Sequence, residues 1–506
     1  MGFCTVLSAA VTGVKVELIN VEADITNGLP VFMMVGYLSS EVKEAAERVK
    51  TAINNSLNEF PVKNVMVNLS PVSIKKRGAV FDLPIAVSIL AADGKVRNPG
   101  EKTLYAGELG LNGDIRGVKG ILPMLLKAKE NGIKQCFIPK ANEYEGSLVE
   151  GIKIIAVSSL KEVIMCLQGK INIDPLKKIN IDFNANYDNE VDFKDIYGQD
   201  ALKRAASIAV AGGHNIVMTG PPGSGKTMMA KAMAGIIPPM DRNEIMEVTK
   251  IYSIAGMLNE QMPYVFKRPF RYVHHTATKS AVVGGGHMPV PGEISLAHCG
   301  ILFLDELPEF KREVIEVLRE PLEEHNILIS RRNGRYEFPA DFMLVAAMNP
   351  CPCGYYPDLN KCTCSDLEIE RYRSKLTGPF LDRIDICVEA KKVDYKMLKK
   401  AESGESSSKL RERMEEVRNI QKERYKKEKF KLNSRIPGNL INKYCRLGKE
   451  EEQIMEQIYN AFDITARSYH KILKVARTIA DIEHKEYITC DHLMEAVAYR
   501  IESDMN

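Results

Sequence analysis

The stretch NIVMTGPPGSGKTMMAKAMAGI, residues 215–236, decides the fold at the centre of the chain. Its first five residues are typical of a short buried strand, and they run straight into the phosphate-loop pattern G-x-x-x-x-G-K-T. A helical run, MMAKAMAGI, follows directly. The glycines let backbone N–H groups curve around phosphate oxygens, and the start of the helix adds a partial positive charge. The pattern therefore predicts an α/β domain that binds a nucleoside triphosphate. A chance match on a glycine-rich turn is the alternative.

The loop contains two side chains with specific chemistry. We expect the Lys226 ammonium to reach the β- and γ-phosphates of ATP, and the Thr227 hydroxyl to bind Mg²⁺. The residues predicted to contact ATP through this loop are Gly220, Pro221, Pro222, Gly223, Ser224, Gly225, Lys226 and Thr227.

Two further apolar strands end in polar residues that suit phosphoryl transfer. GILFL, residues 300–304, precedes Asp305 and Glu306, and MLVAA, residues 343–347, is followed closely by Asn349. We expect Asp305 to hold Mg²⁺ through water, and Glu306 to act as general base on the attacking water. Asn349 is predicted to position that water between the other two strands. An ordinary strand end is the alternative interpretation of the two acids.

Composition bounds the class of protein. The 506 residues favour two to four domains, and the apolar content of 45% allows buried cores. Lys and Arg total 69 against 66 Asp and Glu, so any DNA contact must be local rather than global. No uninterrupted apolar run reaches about 18 residues, and no basic segment precedes the N-terminal apolar stretch. We therefore expect a cytoplasmic protein without membrane contact.

Alternating strand-like and helical runs indicate three domains. Residues 1–170 are predicted to form an α/β domain and residues 192–393 a second α/β domain with a parallel sheet. Residues 171–191 are rich in Asn and Asp and predict a linker, and residues 394–506 predict a helical lid with a flexible break at 401–408. Within the first domain we expect helices at 41–55 and 122–129 and strands at 65–69, 104–107 and 135–138.

The order of the phosphate loop, LFLDE (302–306), AAMNP (346–350) and GPFLDRIDI (378–386) resembles the AAA+ ATPases of the magnesium-chelatase-like branch. The stretches DFKDIYGQDALKRAASIAVAGGHN and TARSYHKILKVARTIADI are similar to the YifB/ComM family. This resemblance extends over nearly the whole chain. It implies a ring, usually a hexamer, with ATP sites between subunits.

The same resemblance implies roles for residues outside the three strands. Arg383 would be an arginine finger that reaches a neighbour's γ-phosphate, and Arg467 would be the sensor arginine of the lid, because fixed cations match the charge of the transition state. A structural ion pair of Arg383 with Asp382 or Asp385 is the alternative, as is a solvated helix position for Arg467. The residues implied to lie near adenine are Ile196, Tyr197, Gly198 and Gln199.

The N-terminal domain resembles the Lon protease fold through GAVFDLPIA (78–86) and LYAGELGLNGDIRGVKGI (104–121). Peptide cleavage on that fold needs a Ser–Lys dyad. Asp82 stands roughly where the serine would be, and Met124 roughly where the lysine would be. A shift of one residue gives Leu83 and Leu125, which do not restore the dyad. We therefore expect a non-proteolytic scaffold.

The stretch HNILISRRNGRYEFPAD, residues 325–341, predicts a β-hairpin around its Asn-Gly pair. Arg331, Arg332 and Arg335 crowd the turn. The hairpin resembles the pre-sensor insertion of chelatases and replicative helicases, which points into the ring pore, so these arginines are predicted to hold a DNA backbone. A solvated hairpin end is the alternative. A second insertion, residues 281–291, would be either a pore loop or a mobile surface loop.

Four of the eleven cysteines lie close together in CPCGYYPDLNKCTC: Cys351, Cys353, Cys362 and Cys364. Two C-x-C pairs in a reducing compartment favour a structural, tetrahedral Zn²⁺ site. Reduced, unligated thiols are the alternative.

Three functions fit these patterns. The resemblance and the arginine hairpin favour an ATP-driven DNA-remodelling motor, helicase-like, that acts in branch migration during recombination in natural transformation. A magnesium-chelatase subunit is the second, although nothing in the residues indicates a porphyrin site. The third is a protein-remodelling or regulatory ATPase, in which Tyr336 would grip a polypeptide. An ATP-dependent protease is excluded if the Asp82 and Met124 assignments hold.

Overall fold

The computed structural model describes residues 2–57, 59–100, 102–179, 191–286, 289–331, 334–392, 404–462 and 464–504. Within these ranges two large sheets dominate, a mixed sheet in residues 2–157 and a parallel sheet in residues 216–389. Helices pack against both sheets. The chain is therefore the α/β protein that the sequence predicts.

The N-terminal sheet is built around a long antiparallel pair. Its strands and the small hairpin beside it are β1 (Gly2–Thr12), β2 (Lys15–Thr26), β3 (Phe32–Gly36), β4 (Asn64–Ser70), β5 (Thr103–Tyr105), β6 (Glu108–Leu109), β7 (Ile115–Arg116), β8 (Gln135–Pro139) and β9 (Lys153–Val157). The described strands of the sheet follow the order β3-β4-β2-β1-β5-β8-β9. β1 and β2 pair antiparallel along their whole length, while β5, β8 and β9 continue the sheet in parallel.

Five described α-helices pack around this sheet, and two of them lie where the apolar spacing predicts a helix. They are α1 (Ser40–Leu57), α2 (Asp82–Ala92), α3 (Ile121–Glu130), α4 (Glu143–Ser147) and α5 (Leu160–Leu167). Both α2 and α3 pack on β1 and β2. The predicted helices at 41–55 and 122–129 and the predicted strands at 65–69 and 135–138 are confirmed to within two residues. The strand predicted at 104–107 ends at Tyr105, because the Gly107 N–H donates to Val80 O instead of to a neighbouring strand.

Asp82 and Met124 are both structural residues in this domain. Asp82 is fully buried at the start of α2, and Arg48 donates to its two oxygens at 2.9 and 3.1 Å. Burial raises the pKa of Asp82 to about 6, and the ion pair with Arg48 opposes that shift. Met124 is buried within α3. An ion-paired carboxylate and a buried thioether cannot supply the nucleophile and amine of a Ser–Lys dyad.

The central sheet carries the phosphate-loop motif. Its strands and the two adjoining hairpins are β10 (Ile216–Thr219), β11 (Phe270–Val273), β12 (Gly284–Gly285), β13 (Val290–Pro291), β14 (Ile301–Leu304), β15 (Asn326–Arg331), β16 (Gly334–Pro339), β17 (Met343–Met348) and β18 (Ile386–Glu389). The described strands of the sheet follow the order β11-β14-β17-β10-β18, and each neighbouring pair is parallel. Every residue of β14 and β17 is buried, as strands of a sheet covered on both faces require.

The remaining helices surround this sheet and form the C-terminal part of the chain. They are α6 (Asp200–Gly212), α7 (Lys226–Ile236), α8 (Arg242–Ala255), α9 (Lys279–Val283), α10 (Glu293–Leu296), α11 (Arg312–Val317), α12 (Arg319–Glu324), α13 (Asp366–Arg373), α14 (Gly378–Leu381), α15 (Ser407–Arg424), α16 (Ile441–Tyr444), α17 (Lys449–Ala461), α18 (Ala466–Ile482) and α19 (Cys490–Asp504). Both α15 and α18 pack on α6. Fully buried Asp481 joins these two helices, since it pairs with Arg424 at 2.5 Å and Arg477 at 3.0 Å.

The predicted linker, flexible break and second insertion lie only partly within the described residues. Residues 171–179 contain no helix or strand, and the rest of the predicted linker up to residue 190 lies outside the described residues. Residues 393–403, which include part of the predicted flexible break, also lie outside them. The insertion at 281–291 contains the end of α9 and the β12–β13 hairpin, with residues 287–288 outside the description. None of the described helices is long and apolar enough to cross a membrane.

Candidate functional site

The three predicted strand ends meet at the carboxyl edge of the central sheet. β17 lies between β14 and β10, so Asn349 follows the strand that separates Asp305 from the phosphate loop. The Gly220 N–H donates to Met348 O at 3.1 Å, which ties the start of the loop to the end of β17. The strand order therefore brings together residues that are more than a hundred positions apart in the sequence.

The loop requires glycine for two different reasons. A Cβ atom on Gly220 would lie 2.3 Å from Ala390 O, so the loop can start beside the end of β18 only without a side chain. Gly223 and Gly225 have φ angles of 75° and 87°, in the left-handed region that glycine tolerates best. No atom outside the neighbouring residues lies within 4 Å of a Cβ placed on either residue, so glycine is needed here for backbone conformation and not for lack of space. Open backbone N–H groups at the start of α7 fit a bound phosphate.

Lys226 is held against this loop. Its side-chain Nζ donates to Gly220 O at 2.7 Å, to Pro221 O at 3.0 Å and to Asn349 Oδ1 at 3.3 Å. Burial lowers the pKa of Lys226, and the carboxylates of Asp305 and Glu306 offset part of that shift. Lys226 and Asn349, the residue predicted to position the attacking water, are therefore in direct contact.

Thr227 and Asp305 present adjacent oxygens at the start of α7. The Thr227 Oγ1 donates to Asp305 Oδ2 at 2.9 Å. A hydroxyl and a carboxylate are the oxygen ligands that Mg²⁺ prefers, usually together with water and substrate phosphates. These two residues therefore fit the magnesium site that the sequence predicts.

Glu306 contacts a residue that the sequence analysis missed. Glu306 has a left-handed φ of 53°, and its side chain is 54% exposed at the carboxyl edge. His275 Nδ1 lies 3.2 Å from Glu306 Oε2. His275 follows β11, the parallel neighbour of β14, so both strands end at the same edge. The sequence does place two histidines directly after the strand-like run at 270–273. Their closeness to Glu306 could not be recognised there, because it depends on which strands are adjacent.

The residues predicted to lie near adenine are next to the loop. They precede α6, and Gln199 donates from its side-chain Nε2 to Ser224 O at 3.0 Å and to Lys391 O. Ile196 is buried, while Tyr197 and Gly198 are partly exposed. This segment therefore packs against the base of the phosphate loop.

Arg383 lies at the opposite edge of the sheet from that loop. The N–H groups of Asp385 and Ile386 both donate to Asn215 O at 3.0 Å, and Ile386 pairs with Ile216 at the start of β10. The phosphate loop begins at the other end of β10. A strand of four residues is about 13 Å long, which exceeds the reach of an arginine side chain. The structure therefore does not bring Arg383 to the phosphate loop of its own chain.

Both predicted functional arginines lie near Glu323. Arg383 Nη2 lies 2.8 Å from Glu323 Oε1, and Arg467 Nη2 lies 3.9 Å from the same oxygen. The ion-pair partner of Arg383 is thus neither Asp382 nor Asp385. Arg467 belongs to α18, which docks at this edge because Lys471 pairs with Asp385 at 2.6 Å. The side chain of Arg467 is 62% exposed.

The arginine hairpin forms as predicted from β15 and β16. Arg331 pairs with Gly334, and Ser330 pairs with Arg335, so both described arginines lie exposed at the turn. Arg332 lies outside the described residues. A Cβ atom on Gly285 would lie 3.6 Å from Arg331 Nη2, so the two predicted insertions meet.

Tyr336 does not have the exposure that a grip on a polypeptide would need. It pairs with Ile329, and only 6% and 7% of these two residues is exposed. Side chains alternate between the faces of a strand, so Tyr336 points away from the face of Arg335 and into the core. Tyr336 is therefore not available as the grip that the protein-remodelling alternative would need.

The N-terminal domain contacts the same hairpin. Val14 N donates to Glu337 O at 3.3 Å, and Lys15 pairs with Glu337 at 3.1 Å. A Cβ atom on Gly13 would lie 2.8 Å from Glu337 O, so the β1–β2 turn approaches the hairpin backbone closely. The sequence carried no signal for this contact between distant segments.

The four clustered cysteines converge. Cys351 Sγ lies 3.4 Å from Cys353 Sγ and 3.8 Å from Cys362 Sγ, and Cys353 Sγ lies 3.6 Å from Cys362 Sγ. All four sulfurs, including that of Cys364, lie within 4.8 Å of one another. A tetrahedron with Zn–S bonds of about 2.3 Å has sulfur separations of about 3.8 Å. Hydrogen bonds from the backbone of Tyr355 and Thr363 lower the pKa of Cys353 to about 6, which favours its thiolate. Against an opposing backbone hydrogen bond, burial and the neighbouring thiols raise the pKa values of Cys362 and Cys364.

A second group of potential ligands is unsuited to a metal. It consists of Glu247, His298 and Cys299. The Asp341 N–H donates to His298 Nδ1 at 3.1 Å, so the hydrogen of the ring lies on Nε2, the atom nearest to Glu247. Burial raises the pKa of Cys299, which keeps its thiol protonated. His298 Nε2 therefore has no lone pair for a cation, and Cys299 is not the thiolate that metals bind.

Comparison with known proteins identifies relatives along the whole chain. Residues 192–398 match the family described as magnesium chelatase, subunit ChlI; residues 21–142 match subunit ChlI of Mg-chelatase, and residues 404–500 match the ChlI C-terminal family. The competence protein ComM of Haemophilus influenzae is 41% identical over 505 residues, which cover 99% of this chain and 98% of that protein. The YifB protein of Salmonella typhimurium is 40% identical over 99% of this chain and 97% of its own length. A Lon protease of Lachnoclostridium phytofermentans is 25% identical over 172 residues, 31% of this chain and 21% of its own length.

Replacement of Lys226 by methionine tests the phosphate loop. Because this ammonium is the buried cation between the loop and Asn349, we expect Lys226→Met to weaken the binding of a fluorescent ATP analogue at least about a hundredfold. Lys50→Met, which changes an exposed lysine in α1, is the control and should bind as the wild type does. Equal affinity in Lys226→Met and the wild type would show that the loop does not hold the triphosphate.

Proposed function

Because the chain belongs to the ComM and YifB family of magnesium-chelatase-like AAA+ ATPases, we propose that it hydrolyses ATP in a ring, with each ATP held between two subunits. One observation carries this proposal: the phosphate loop and Arg383 lie at opposite edges of one sheet. An arginine at the amino edge cannot serve the phosphates of its own chain. In a ring it would serve the phosphates of the neighbouring chain. A hexamer is the assembly that the family resemblance implies.

Each side chain at the carboxyl edge would have a separate role in ATP hydrolysis. Lys226 would hold the β- and γ-phosphates while Glu306 accepts a proton from the attacking water as general base. His275, at 3.2 Å from Glu306, would fix the direction of that carboxylate. Thr227 and Asp305 would hold Mg²⁺, which neutralises phosphate charge when it is bound. Asn349 contacts Lys226 and would orient the water beside it.

The proposed substrate of the motor is DNA. Two exposed arginines, Arg331 and Arg335, lie at the tip of the β15–β16 hairpin, and Arg331 approaches Gly285 in the β12–β13 hairpin. Arginines bind phosphate backbones without regard to sequence, which suits a motor that moves along DNA. The relative from Haemophilus influenzae is named a competence protein. We propose that this chain likewise acts in natural transformation, by branch migration during recombination.

The substrate is tested by steady-state ATPase activity with single-stranded, duplex and four-way-junction DNA. We expect DNA to stimulate hydrolysis severalfold in the wild type and Arg331→Ala/Arg335→Ala to lose this stimulation while keeping its basal activity. The salt dependence of DNA binding should also weaken, because fewer phosphates are neutralised.

The matched control for that experiment is Arg116→Ala/Arg312→Ala, which removes two exposed arginines from other surfaces. It should respond to DNA as the wild type does. Vigorous hydrolysis that is indifferent to every DNA would overturn the proposed substrate. The alternative is a protein-remodelling or magnesium-chelatase-type regulatory ATPase, and the burial of Tyr336 removes the residue predicted to grip a polypeptide.

The shared ATP site is tested by mixing two inactive variants. Arg383→Ala should bind ATP but hydrolyse it about a thousandfold more slowly, and Lys226→Met should not bind it. A mixture should regain activity, because some interfaces then join an intact loop to an intact Arg383. The double variant Lys226→Met/Arg383→Ala mixed with Arg383→Ala is the control, since none of its interfaces is complete. A mixture no more active than that control would contradict the proposal.

We also propose that the four cysteines hold a structural zinc ion. The sulfur separations of 3.4–3.8 Å among Cys351, Cys353 and Cys362, with the Cys364 sulfur within 4.8 Å, support it, because they are close to those of a tetrahedral zinc site. Protein purified without chelators should contain one zinc per chain by elemental analysis, and Cys351→Ser/Cys362→Ser should contain none. Cys136→Ser, which changes a cysteine buried elsewhere, should retain the ion. Wild-type protein without zinc would rule the site out.

A further inference from the structure

The cysteine cluster begins just after Asn349, the residue that is predicted to position the attacking water. Asn349 and Cys351 are two positions apart, and the tight turn from Cys351 to Gly354 closes with a hydrogen bond from Gly354 N to Cys351 O at 3.0 Å. The segment also returns to its starting point, because Tyr372 in α13 hydrogen bonds to the backbone of Asn349. The segment from Asn349 to Tyr372, which contains the four cysteines, is therefore a loop whose two ends meet.

This loop touches the phosphate loop at one glycine. Gly354 has a φ of 83°, and a Cβ atom there would lie 2.5 Å from Pro222 Cδ and 3.7 Å from Asn349 Cγ. Pro222 is the third residue of the phosphate loop. The turn that carries the first two cysteines therefore comes so close to the phosphate loop that a side chain at Gly354 would collide with Pro222, and Asn349 borders the same position.

The sulfur atoms determine the shape of that turn. Cys351 is fully buried, and its sulfur accepts the Tyr356 N–H at 3.4 Å, while the Cys364 sulfur accepts the Cys353 N–H at 3.4 Å. The guanidinium of Arg373 lies 5.1 Å from the centre of the Tyr356 ring and donates to Pro350 O at 3.4 Å. A cation bound by the four sulfurs would lock these contacts, because the turn carries two of its four ligands.

We infer that the tetrathiolate site is a nucleotide-linked metal site: a bound Zn²⁺ fixes the turn at Gly354, and the turn holds Pro222 and Asn349 in the arrangement that binds ATP. This inference rests on the proposed ATP and zinc sites, and it means that zinc bound at one site strengthens the binding of ATP at the other. Lys226 contacts Asn349 directly, so a shift of Asn349 reaches the residue that holds the phosphates. Linkage between two binding sites is reciprocal, so ATP binding also strengthens the retention of zinc.

The contact is tested by Gly354→Ala in the full-length protein. The added methyl group collides with Pro222 but leaves all four cysteines in place. We expect one zinc per chain and an ATP affinity about tenfold weaker than in the wild type, measured by isothermal titration calorimetry. Gly132→Ala is the matched control, because Gly132 also has a positive φ of 71° but nothing lies within 4 Å of its Cβ position. It carries the same backbone strain without the collision and should bind ATP normally.

A second measurement does not depend on the folding of a variant. Zinc is removed from wild-type protein with a chelator, and ATP affinity and the rate of zinc release are recorded, with circular dichroism as the check on folding. We expect metal removal to weaken ATP binding about tenfold and saturating ATP to slow zinc release by a similar factor. The same removal should have little further effect on Gly354→Ala, whose contact is already disturbed.

The outcomes separate the three proposals. A wild type that holds zinc but binds ATP equally well with and without it overturns this inference and leaves the ATP site intact. A wild type that contains no zinc overturns the metal site and this inference with it. A wild type that holds zinc but binds no ATP overturns the proposed function instead, and the inference that depends on it.

Discussion

The parallel pairing of β10 with β17 on one side and β18 on the other determines where every candidate functional group lies. Parallel strands place all of their carboxyl ends at one edge and all of their amino ends at the other. The phosphate loop, Asn349 and the acidic pair therefore meet at one edge, and Arg383 lies at the opposite edge. In the proposed ring, a site that combines the loop with Arg383 draws on two copies of the chain. The proposal of assembly thus rests on strand direction.

Close backbone approach is the second constraint on this molecule. Gly220 meets the end of β18, Gly354 meets Pro222, and Gly13 meets the arginine hairpin, each at a distance that excludes a side chain. These three contacts join the phosphate loop to its sheet, the cysteine loop to the phosphate loop and the N-terminal domain to the hairpin. In the proposed account, the Gly354 contact couples the phosphate loop to the cysteine loop, while the Gly13 contact fixes the N-terminal domain against the hairpin.

Local patterns predicted the parts of this structure that depend on neighbouring residues. The strand–loop–helix around Lys226, the strands before Asp305 and Asn349 and the arginine hairpin all follow from residue order. His275 and Glu323 were missed because their contacts depend on which strands are adjacent and which edge each residue follows. The alternative that kept Tyr336 open as a grip overlooked strand alternation, which already separates it from Arg335. The contacts of Gly13 and Gly354 join distant segments and leave no mark on local sequence.

The central claim is that ATP is hydrolysed between chains, and the dependence of activity on assembly tests it most directly. ATPase activity per chain is measured across a wide range of protein concentration, while analytical ultracentrifugation at the same concentrations gives the fraction of assembled chains. We predict that activity per chain rises in proportion to the assembled fraction and vanishes for the monomer, because the monomer carries Arg383 at the wrong edge of its own sheet. Full turnover by chains that sediment as monomers would contradict the account.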